Sequence, residues 1–189
     1  MYMCGRYVFN NGESDQLAEL IKMAKKKLPK EVFEKISLFE VYPGCSSFAG
    51  IYDPSKGRTL TKVMKWGLPS RQNKLIINAR SETCFSSQFF AGCIPCALPA
   101  TSYFEWSPDK ERYMFKTDDE VFYLAALCRK ENNEMHFVIL TEEANETCAV
   151  IHHRQPVIFT YEKAKAWCTS GTPALLLKDS VQNRYFTKA

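Results

Sequence analysis

The apolar residues follow a helical spacing in two stretches of the chain. The first stripe consists of Leu17, Leu20, Ile21, Ala24 and Leu28. Ser14 can cap this segment and Pro29 cannot continue it, which predicts a helix with one face in the core. A second helix is predicted to begin at Thr160 and to end near Cys168, shortly before a glycine.

Short runs rich in β-branched and aromatic residues predict a succession of strands. These runs cover residues 5–9, 59–66, 113–116, 121–128, 135–141 and 156–159. Prolines and glycines between residues 40 and 58 predict a loop with short extended pieces. The expected fold is α+β, with an antiparallel, barrel-like sheet and peripheral helices.

Length and composition fit one domain. The 189 residues, 46% of them hydrophobic, suffice for one core, and we expect residues 1–189 to form a single domain. No apolar run approaches the ~20 residues that cross a bilayer, and the first residues lack the apolar part of a secretory signal. We expect a cytoplasmic or nucleoid-associated protein without a membrane partner, and a monomer. The net charge of +4 permits a polyanionic partner but does not require one.

Eight cysteines are scattered through the chain rather than arranged in a framework. In a chain of this size without a secretory signal, they indicate reduced thiols, most of them small core residues. Cys93 and Cys96 form a lone CxxC pair, and no second pair lies at the spacing of a zinc site. The pair also lacks the strand-to-helix context of a redox motif. We predict no metal and no other cofactor.

Four polar segments occur where a core would favour apolar residues. They are Met3-Cys4-Gly5-Arg6, Asn78-Ala79-Arg80-Ser81-Glu82-Thr83, Tyr103-Phe104-Glu105-Trp106 and Ile151-His152-His153-Arg154-Gln155-Pro156. Each has a structural explanation when taken alone: Asn78 and Arg80 could cap a helix, Glu105 could lie at the surface, and His152 and Cys4 could be core residues. Only the combination favours a chemical role.

In combination, these segments resemble the SRAP family, the SOS response-associated peptidases. The family's opening is Met-Cys-Gly-Arg, as at residues 3–6, and its Trp-Gly-Leu and Asn-Ala-Arg-x-Glu-Thr segments match residues 66–68 and 78–83. Its Cys-Leu-x-Pro-Ala-x-Gly-x-Tyr-Glu-Trp block and its Ile-His-x-Arg-Met-Pro segment resemble residues 96–106 and 151–156. The motifs occur in family order. Pro95, Ser102 and Gln155 depart from the family's usual Arg, Gly and Met.

The resemblance implies that the chain binds single-stranded DNA and captures abasic sites covalently, as part of the DNA damage response. Cys4 would be the first residue, and its α-amine and thiol, with pKa values near ~8 and ~8.5, would close a thiazolidine on the sugar aldehyde. By the same resemblance, Glu105 is a general acid/base, His152 assists proton transfer and Asn78 orients the intermediate. The DNA-binding residues would be Arg6, Trp66, Arg80, Trp106 and Arg154.

Among these DNA-binding residues, Arg80 and Arg154 would hold phosphates, while Trp66 and Trp106 are candidates for stacking on bases. Trp66 could equally be a core residue.

The first residues set a condition on this chemistry, because Met1-Tyr2-Met3 precede Cys4. Either translation begins at Met3, which we favour, or the chain cleaves itself between Met3 and Cys4, in line with the family's peptidase name. We therefore expect a lyase-like cross-linking activity together with self-processing, which is a hydrolase reaction. Two alternatives stay open: a cysteine hydrolase whose internal thiol is activated by His152 or His153, and a non-covalent module that binds single strands.

Overall fold

The computed structural model describes residues 4–10, 12–72 and 74–189, so Met3 of the first motif lies outside the described residues. In this part of the chain, the strands in order are β1 Arg6–Val8, β2 Glu40–Val41, β3 Ser46–Asp53, β4 Arg58–Trp66, β5 Leu68–Pro69, β6 Leu75–Ile76, β7 Asn78–Arg80, β8 Ile94–Ala100, β9 Ser102–Trp106, β10 Arg112–Lys116, β11 Phe122–Glu131, β12 Glu134–Glu143, β13 Arg154–Pro156, β14 Ile158–Phe159 and β15 Tyr185–Lys188. The α-helices are α1 Asp15–Lys27, α2 Lys30–Phe33, α3 Glu146–Ala149 and α4 Tyr161–Thr169. Single 3₁₀ segments cover Gln88–Phe90 and Pro173–Asp179.

A ring-like sheet forms the centre of the fold. Strands β4, β3, β8, β11 and β12 follow one another through antiparallel pairs, and a parallel contact between β12 and β4 closes the ring. The expected α+β class, mostly sheet with a few helices, is confirmed. Most pairs of the sheet are antiparallel, as expected, and β12 also pairs in parallel with both β4 and β7.

The loop predicted for residues 40–58 is largely a strand. β3 runs from Ser46 to Asp53 and pairs with β4 along its whole length. Gly50 lies inside this strand, where an added Cβ would come 3.4 Å from Thr59 and 3.7 Å from the Ala97 carbonyl. Gly57, with a φ of +61°, turns the chain between the two strands. The glycines that suggested a loop therefore include one inside a strand, where a side chain would make only ordinary contacts, and one in a tight hairpin turn.

The two predicted helices are confirmed. The Ser14 side chain accepts a hydrogen bond from the Leu17 N–H, and α1 ends just before Leu28 and Pro29, as the apolar stripe indicated. α4 follows Thr160, whose side chain makes no capping hydrogen bond, and reaches Thr169. In the described part of the chain, no helix is long and apolar enough to cross a membrane.

A second sheet, in the order β15-β10-β9-β1-β2, brings the beginning of the chain against its middle. β1 is antiparallel to β9, with Arg6 opposite Phe104 and Val8 opposite Ser102. One apolar cluster joins the inner face of this sheet to the ring and contains Cys4, Tyr103 and Trp66. This pairing places the first predicted motif beside the third.

Candidate active site

Cys4 and Glu105 are in direct contact. The pairing of β1 with β9 brings them together from 101 residues apart, and the Cys4 backbone N–H donates to Oε1 of Glu105 at 2.7 Å. Cys4 is 0% exposed and Glu105 is 2% exposed. The nitrogen that the predicted chemistry needs therefore lies within hydrogen-bond reach of a buried carboxyl group.

The surroundings of Glu105 favour the protonated acid. Burial raises the pKa of its carboxyl group to about 8, while the hydrogen bond from the Cys4 N–H opposes the rise. A carboxylate buried with one hydrogen bond lacks the solvation that water would give its charge. A carboxyl group whose pKa is close to neutrality can both give and take a proton there, which is what a general acid/base requires.

The raised pKa predicts how stability depends on pH. Because the folded-state pKa of about 8 exceeds the ordinary 4.5, the stability contributed by the neutral acid is complete below pH 4.5 and is lost as the pH rises towards 8. Glutamine at this position does not titrate. We therefore expect the free energy of unfolding of Glu105→Gln, relative to wild type, to increase by about 3 kcal/mol between pH 4 and pH 7.

Urea unfolding of both proteins at the two pH values measures this difference. Glu31→Gln, which changes an exposed carboxylate on α2, is the matched control and should show no such increase. A constant difference between Glu105→Gln and wild type at both pH values would contradict the raised pKa.

The Cys4 side chain and backbone are both unusual. Burial raises the pKa of the thiol well above its ordinary value, the neighbouring Glu105 raises it further, and Arg184 lowers it. Cys4 has a φ of +33°, a left-handed backbone conformation that costs a residue with a side chain about 1–3 kcal/mol. A φ angle requires a preceding residue, so this cost exists only while Cys4 is internal.

Trp66 is a core residue, which corrects its assignment as a base-stacking side chain. It is 0% exposed and packs against Tyr7 and Phe137, with ring centroids 5.5 and 5.9 Å away. Its Nε1–H donates to the Ile77 carbonyl at 2.8 Å. Because Asn78 follows directly, Trp66 fixes the start of β7.

Asn78 is half-buried on β7, beside Ile139 of β12. In the described part of the chain, its Nδ2 group is buried and has no hydrogen-bond partner. An unsatisfied buried amide donor costs about 1–3 kcal/mol, so such a group in a native protein calls for a ligand or another explanation. Asn78 is thus available to donate to a bound molecule.

His152 lies directly after α3, where its backbone N–H donates to the Cys148 carbonyl at 2.9 Å. The Arg154 N–H donates to His152 Nδ1 at 3.2 Å. Burial lowers the pKa of His152, and neighbouring His153 lowers it further, against the effect of the Arg154 backbone. The imidazole is therefore neutral at pH 7 and able to accept a proton.

Arg154 does not face solvent, which corrects its assignment to phosphate. Its Nη2 donates to Oε2 of Glu82 at 2.8 Å and to the Thr141 carbonyl at 2.6 Å, and its Nη1 donates to Oε1 of the same carboxylate. The paired guanidinium lowers the pKa of Glu82. A guanidinium held by a carboxylate joins β13 to the segment after β7 instead of binding DNA. Arg80, at the end of β7, is exposed.

Arg6 and Trp106 belong to a patch on the outer face of the second sheet, together with Tyr42, Arg112 and Glu40. The Arg6 guanidinium lies 5.7 Å from the Trp106 ring centroid and 5.9 Å from that of Tyr42. Glu40 pairs with Arg6 at 3.0 Å and with Arg112 at 3.7 Å. We call these five residues the outer-face patch. It presents aromatic rings and cations, and one of its members, Trp106, lies on the strand that also carries Glu105.

Comparisons with known proteins agree with this arrangement of motifs. A family model described as SOS response associated peptidase (SRAP) matches residues 3–185. The chain belongs to the SRAP family. The abasic site processing protein YedK of Escherichia coli K12 is 27% identical over 180 residues, which covers 87% of this chain and 79% of YedK. The abasic site processing protein YoqW of Bacillus subtilis 168 is 31% identical over 185 residues, covering 87% of this chain and 80% of YoqW.

A solved structure has the same fold at low sequence identity. The crystal structure of a phage-related protein from Bordetella bronchiseptica matches with a TM-score of 0.71 at 16% identity. The match covers 98% of this chain and 94% of that one. At this identity the likeness concerns the fold alone.

In this SRAP protein, the candidate residues converge to different degrees. Cys4 and Glu105 touch, whereas no hydrogen bond within the described residues joins Cys4 to Asn78 or His152. Asn78 and His152 instead follow Ile77 and Ile151, which pack in the same buried cluster as Cys4. The segments that carry Cys4, Asn78 and His152 therefore pack against one hydrophobic core.

Arg184 is a site residue of this SRAP chain that the sequence analysis missed. Its side chain is fully buried and donates to the Tyr103 hydroxyl at 3.3 Å and to the Pro156 carbonyl at 2.9 Å. The Tyr103 hydroxyl also contacts Cys148 Sγ at 3.6 Å. Arg184 therefore ties the strand of Glu105 to the strand that follows His152. Arg184 lies outside the four motifs, so no pattern in the sequence pointed to it.

The remaining thiols do not form a second centre. All eight cysteines are free, and among the residues that the structure describes, no group of three or more His, Cys, Asp or Glu side chains is placed to hold a metal ion. Burial raises the pKa of the thiols of Cys84, Cys93, Cys96, Cys148 and Cys168, as it does for Cys4. What distinguishes Cys4 is the contact of its backbone nitrogen with the carboxyl group of Glu105.

Proposed function

We propose that this chain captures abasic sites in single-stranded DNA through a thiazolidine formed by Cys4 once Cys4 is the first residue. The observation that carries the proposal is the 2.7 Å hydrogen bond between the Cys4 nitrogen and a buried carboxyl group. Membership of the SRAP family and the names of the relatives, abasic site processing proteins, support the same substrate. Residue roles below belong to this proposal.

The reaction consumes an aldehyde and an aminothiol and releases water. The free amine of Cys4 attacks C1′ of the ring-opened sugar, and Glu105 transfers one proton from that nitrogen to the former aldehyde oxygen, which becomes a hydroxyl. Glu105 then transfers the second proton of the nitrogen to this hydroxyl, which leaves as water and gives a Schiff base. The Cys4 thiol adds to the imine carbon, its proton passes to the nitrogen, and the five-membered ring closes.

The other residues support this sequence of steps. Neutral His152 accepts the proton of the C1′ hydroxyl and gives it to the sugar O4′ as the C1′–O4′ bond breaks, and the unpartnered Nδ2 of Asn78 donates to a sugar oxygen. Exposed Arg80 contacts a phosphate, and Trp106 in the outer-face patch stacks on a base beside Arg6. Trp66 and Arg154 act indirectly by holding β7 and β13 in place.

Self-processing belongs to the same proposal. In the 189-residue chain, the Cys4 nitrogen is an amide and cannot form a Schiff base. Removal of the preceding residues, by methionine excision from a start at Met3 or by cleavage between Met3 and Cys4, releases the amine. The peptidase in the family's name would then describe this step rather than digestion of other proteins.

Comparison of the cross-linking rates on single-stranded and duplex DNA tests the proposal. We expect an abasic site in a single strand to cross-link about 10- to 100-fold faster than the same site within a duplex, because stacking on Trp106 requires unpaired bases and unstacking has a free-energy cost. Protein whose mass shows Cys4 at the terminus is incubated with each DNA and resolved by denaturing electrophoresis.

A retarded band that survives denaturation supports capture, and an undamaged strand of the same sequence is the control. Salt-sensitive binding without such a band would overturn the covalent mechanism in favour of a non-covalent module. Equal rates on single strands and duplexes would contradict the proposed contacts of the outer-face patch.

A further inference from the structure

A second surface, remote in sequence from the Cys4 motifs, has the chemistry of a nucleic-acid site. Three adjoining cavities of about 410, 540 and 450 Å³ lie between α1, α4 and the β3–β4 hairpin. Thr59 lines all three, Tyr123 and Tyr161 line the first two, and Leu20 and Met23 line the last two. They therefore form one continuous groove, which we call the tyrosine groove.

Aromatic rings are accessible in the tyrosine groove. Tyr161 is 56% exposed, and its ring centroid lies 5.8 Å from that of Tyr123. Small residues, among them Gly50, Ala97 and Ala164, line the same cavity and leave room beside the rings. Gln16 of α1 donates to the Tyr123 hydroxyl at 3.1 Å and holds that ring in position.

The rim of the groove carries cations without counter-ions. Arg58, Lys165, Lys27 and Lys62 line it and are all exposed. Within the described residues none of the four forms an ion pair, whereas lysines elsewhere do, as at Lys22, Lys30, Lys163 and Lys188. Glu19, the acidic residue that lines the groove, is paired with Lys22 at 3.4 Å. The groove therefore favours a polyanion.

We propose that the tyrosine groove binds a stretch of single-stranded nucleic acid away from the captured lesion. Accessible tyrosine rings next to unpaired cations suit a strand with an anionic backbone and flat bases better than an acidic peptide, which has no bases to stack on them. The proposal rests on the proposed function only in taking DNA strands as the partner. It extends the contact surface of the protein beyond the outer-face patch.

Binding of undamaged oligonucleotides tests the groove without using the chemistry of Cys4. Fluorescence anisotropy with a strand of about 30 nucleotides is measured over a range of salt concentrations for wild type and Arg58→Glu/Lys165→Glu. We expect weaker binding and a salt slope shallower by about 1.4, since each lost phosphate contact removes about 0.7. The control variant Lys130→Glu/Lys178→Glu makes the same charge change at exposed lysines outside the groove. It should bind more tightly than Arg58→Glu/Lys165→Glu and should have the wild-type salt slope.

Substitution of Tyr161 separates stacking from charge. Tyr161→Ala should weaken binding by about 5- to 150-fold, the usual effect of losing one stacked base, while Tyr161→Phe should retain the wild-type affinity. Circular dichroism of each variant reports whether it is folded. Wild-type affinity and slope in Arg58→Glu/Lys165→Glu, or wild-type affinity in Tyr161→Ala, would overturn the proposal. The proposal would also be overturned if the affinity for a polyglutamate peptide differed between wild type and these variants while the affinity for the oligonucleotide did not.

Cross-linking of a short oligonucleotide separates this proposal from the previous one. A strand of about five nucleotides with a central abasic site should react equally with wild type and all groove variants, because it is too short to occupy both surfaces. If no protein cross-links, the proposed function fails, but the binding result for the groove still stands. If the groove variants alone slow the short strand, the groove is part of the lesion site and the proposal is wrong.

Discussion

A chain that begins at Met3 and loses that methionine is expected to cross-link abasic DNA, whereas molecules that still carry Met1 are expected to give no cross-link. The difference should be all-or-none, because an amide nitrogen cannot form a Schiff base. Intact-mass measurement of both preparations, run beside denaturing electrophoresis, relates cross-linking to the identity of the first residue. If the 189-residue form cleaves itself, its cross-linking should rise together with the mass of the shortened species.

The control for this experiment is Cys4→Ser in the chain that begins at Met3. Serine allows the same methionine removal and retains the free amine, so a Schiff base can form, but the stable sulfur-containing ring cannot. Its cross-link should therefore survive denaturation only after reduction with borohydride. Stable thiazolidine on intact molecules that retain Met1 would overturn the mechanism.

Glu105→Gln is expected to slow cross-linking by about 10²- to 10⁴-fold, the usual contribution of a general acid/base. Glutamine keeps the shape and can still accept the hydrogen bond from the Cys4 nitrogen, but it cannot exchange a proton. Burial raises the pKa of the Glu105 carboxyl group, so its titration should contribute to the pH dependence of the wild-type rate, and the variant should keep only the pH dependence of the Cys4 amine and thiol.

Affinity for undamaged single strands should be unaffected, because Glu105 is buried and is not among the proposed DNA contacts. Glu162→Gln, an exposed carboxylate on α4, should leave the rate at the wild-type value. An unchanged rate in Glu105→Gln would remove Glu105 from the reaction, and parallel losses of rate and affinity would indicate a structural role instead.

Local sequence signals were sufficient for the two longer helices, α1 and α4, and for seven of the fifteen strands that the structure describes, β1, β4 and β10 to β14. The stripe from Leu17 to Leu28 and the cap at Ser14 act within a few residues, so the predicted and observed α1 agree. β3 was missed because Gly50 is unusual inside a strand, and the pairing of β3 with β4 and β8 depends on residues that local patterns do not contain. The parallel contact of β12 with β4 depends on how the ring closes and has no local signal either.

The candidate site was predicted as a set of motifs, and the structure distinguishes roles within that set. Trp66 is fully buried and holds the start of β7, whereas Trp106 is half-buried. Pairing with Glu82 separates Arg154 from exposed Arg80. The sequence could not reveal either difference, because both depend on partners that are distant along the chain. Arg6, Phe104 and Arg112 lie on one face of β1, β9 and β10. The alternation of side chains along these strands could have indicated that Arg6 and Arg112 belong to the outer-face patch.

The pairing of Cys4 with Glu105 also has a consequence during synthesis. Glu105 is 101 residues further along the chain, so at about 5–20 residues per second the ribosome needs about 5–20 s to make it after Cys4. Throughout that interval β1 has no β9 to pair with, and the peptide bond before Cys4 is open to any enzyme that trims nascent chains. Once β9 emerges, the Cys4 N–H can donate to Glu105, and Cys4 becomes buried. On the proposed function, trimming by other enzymes is therefore expected to be fastest before β1 and β9 pair.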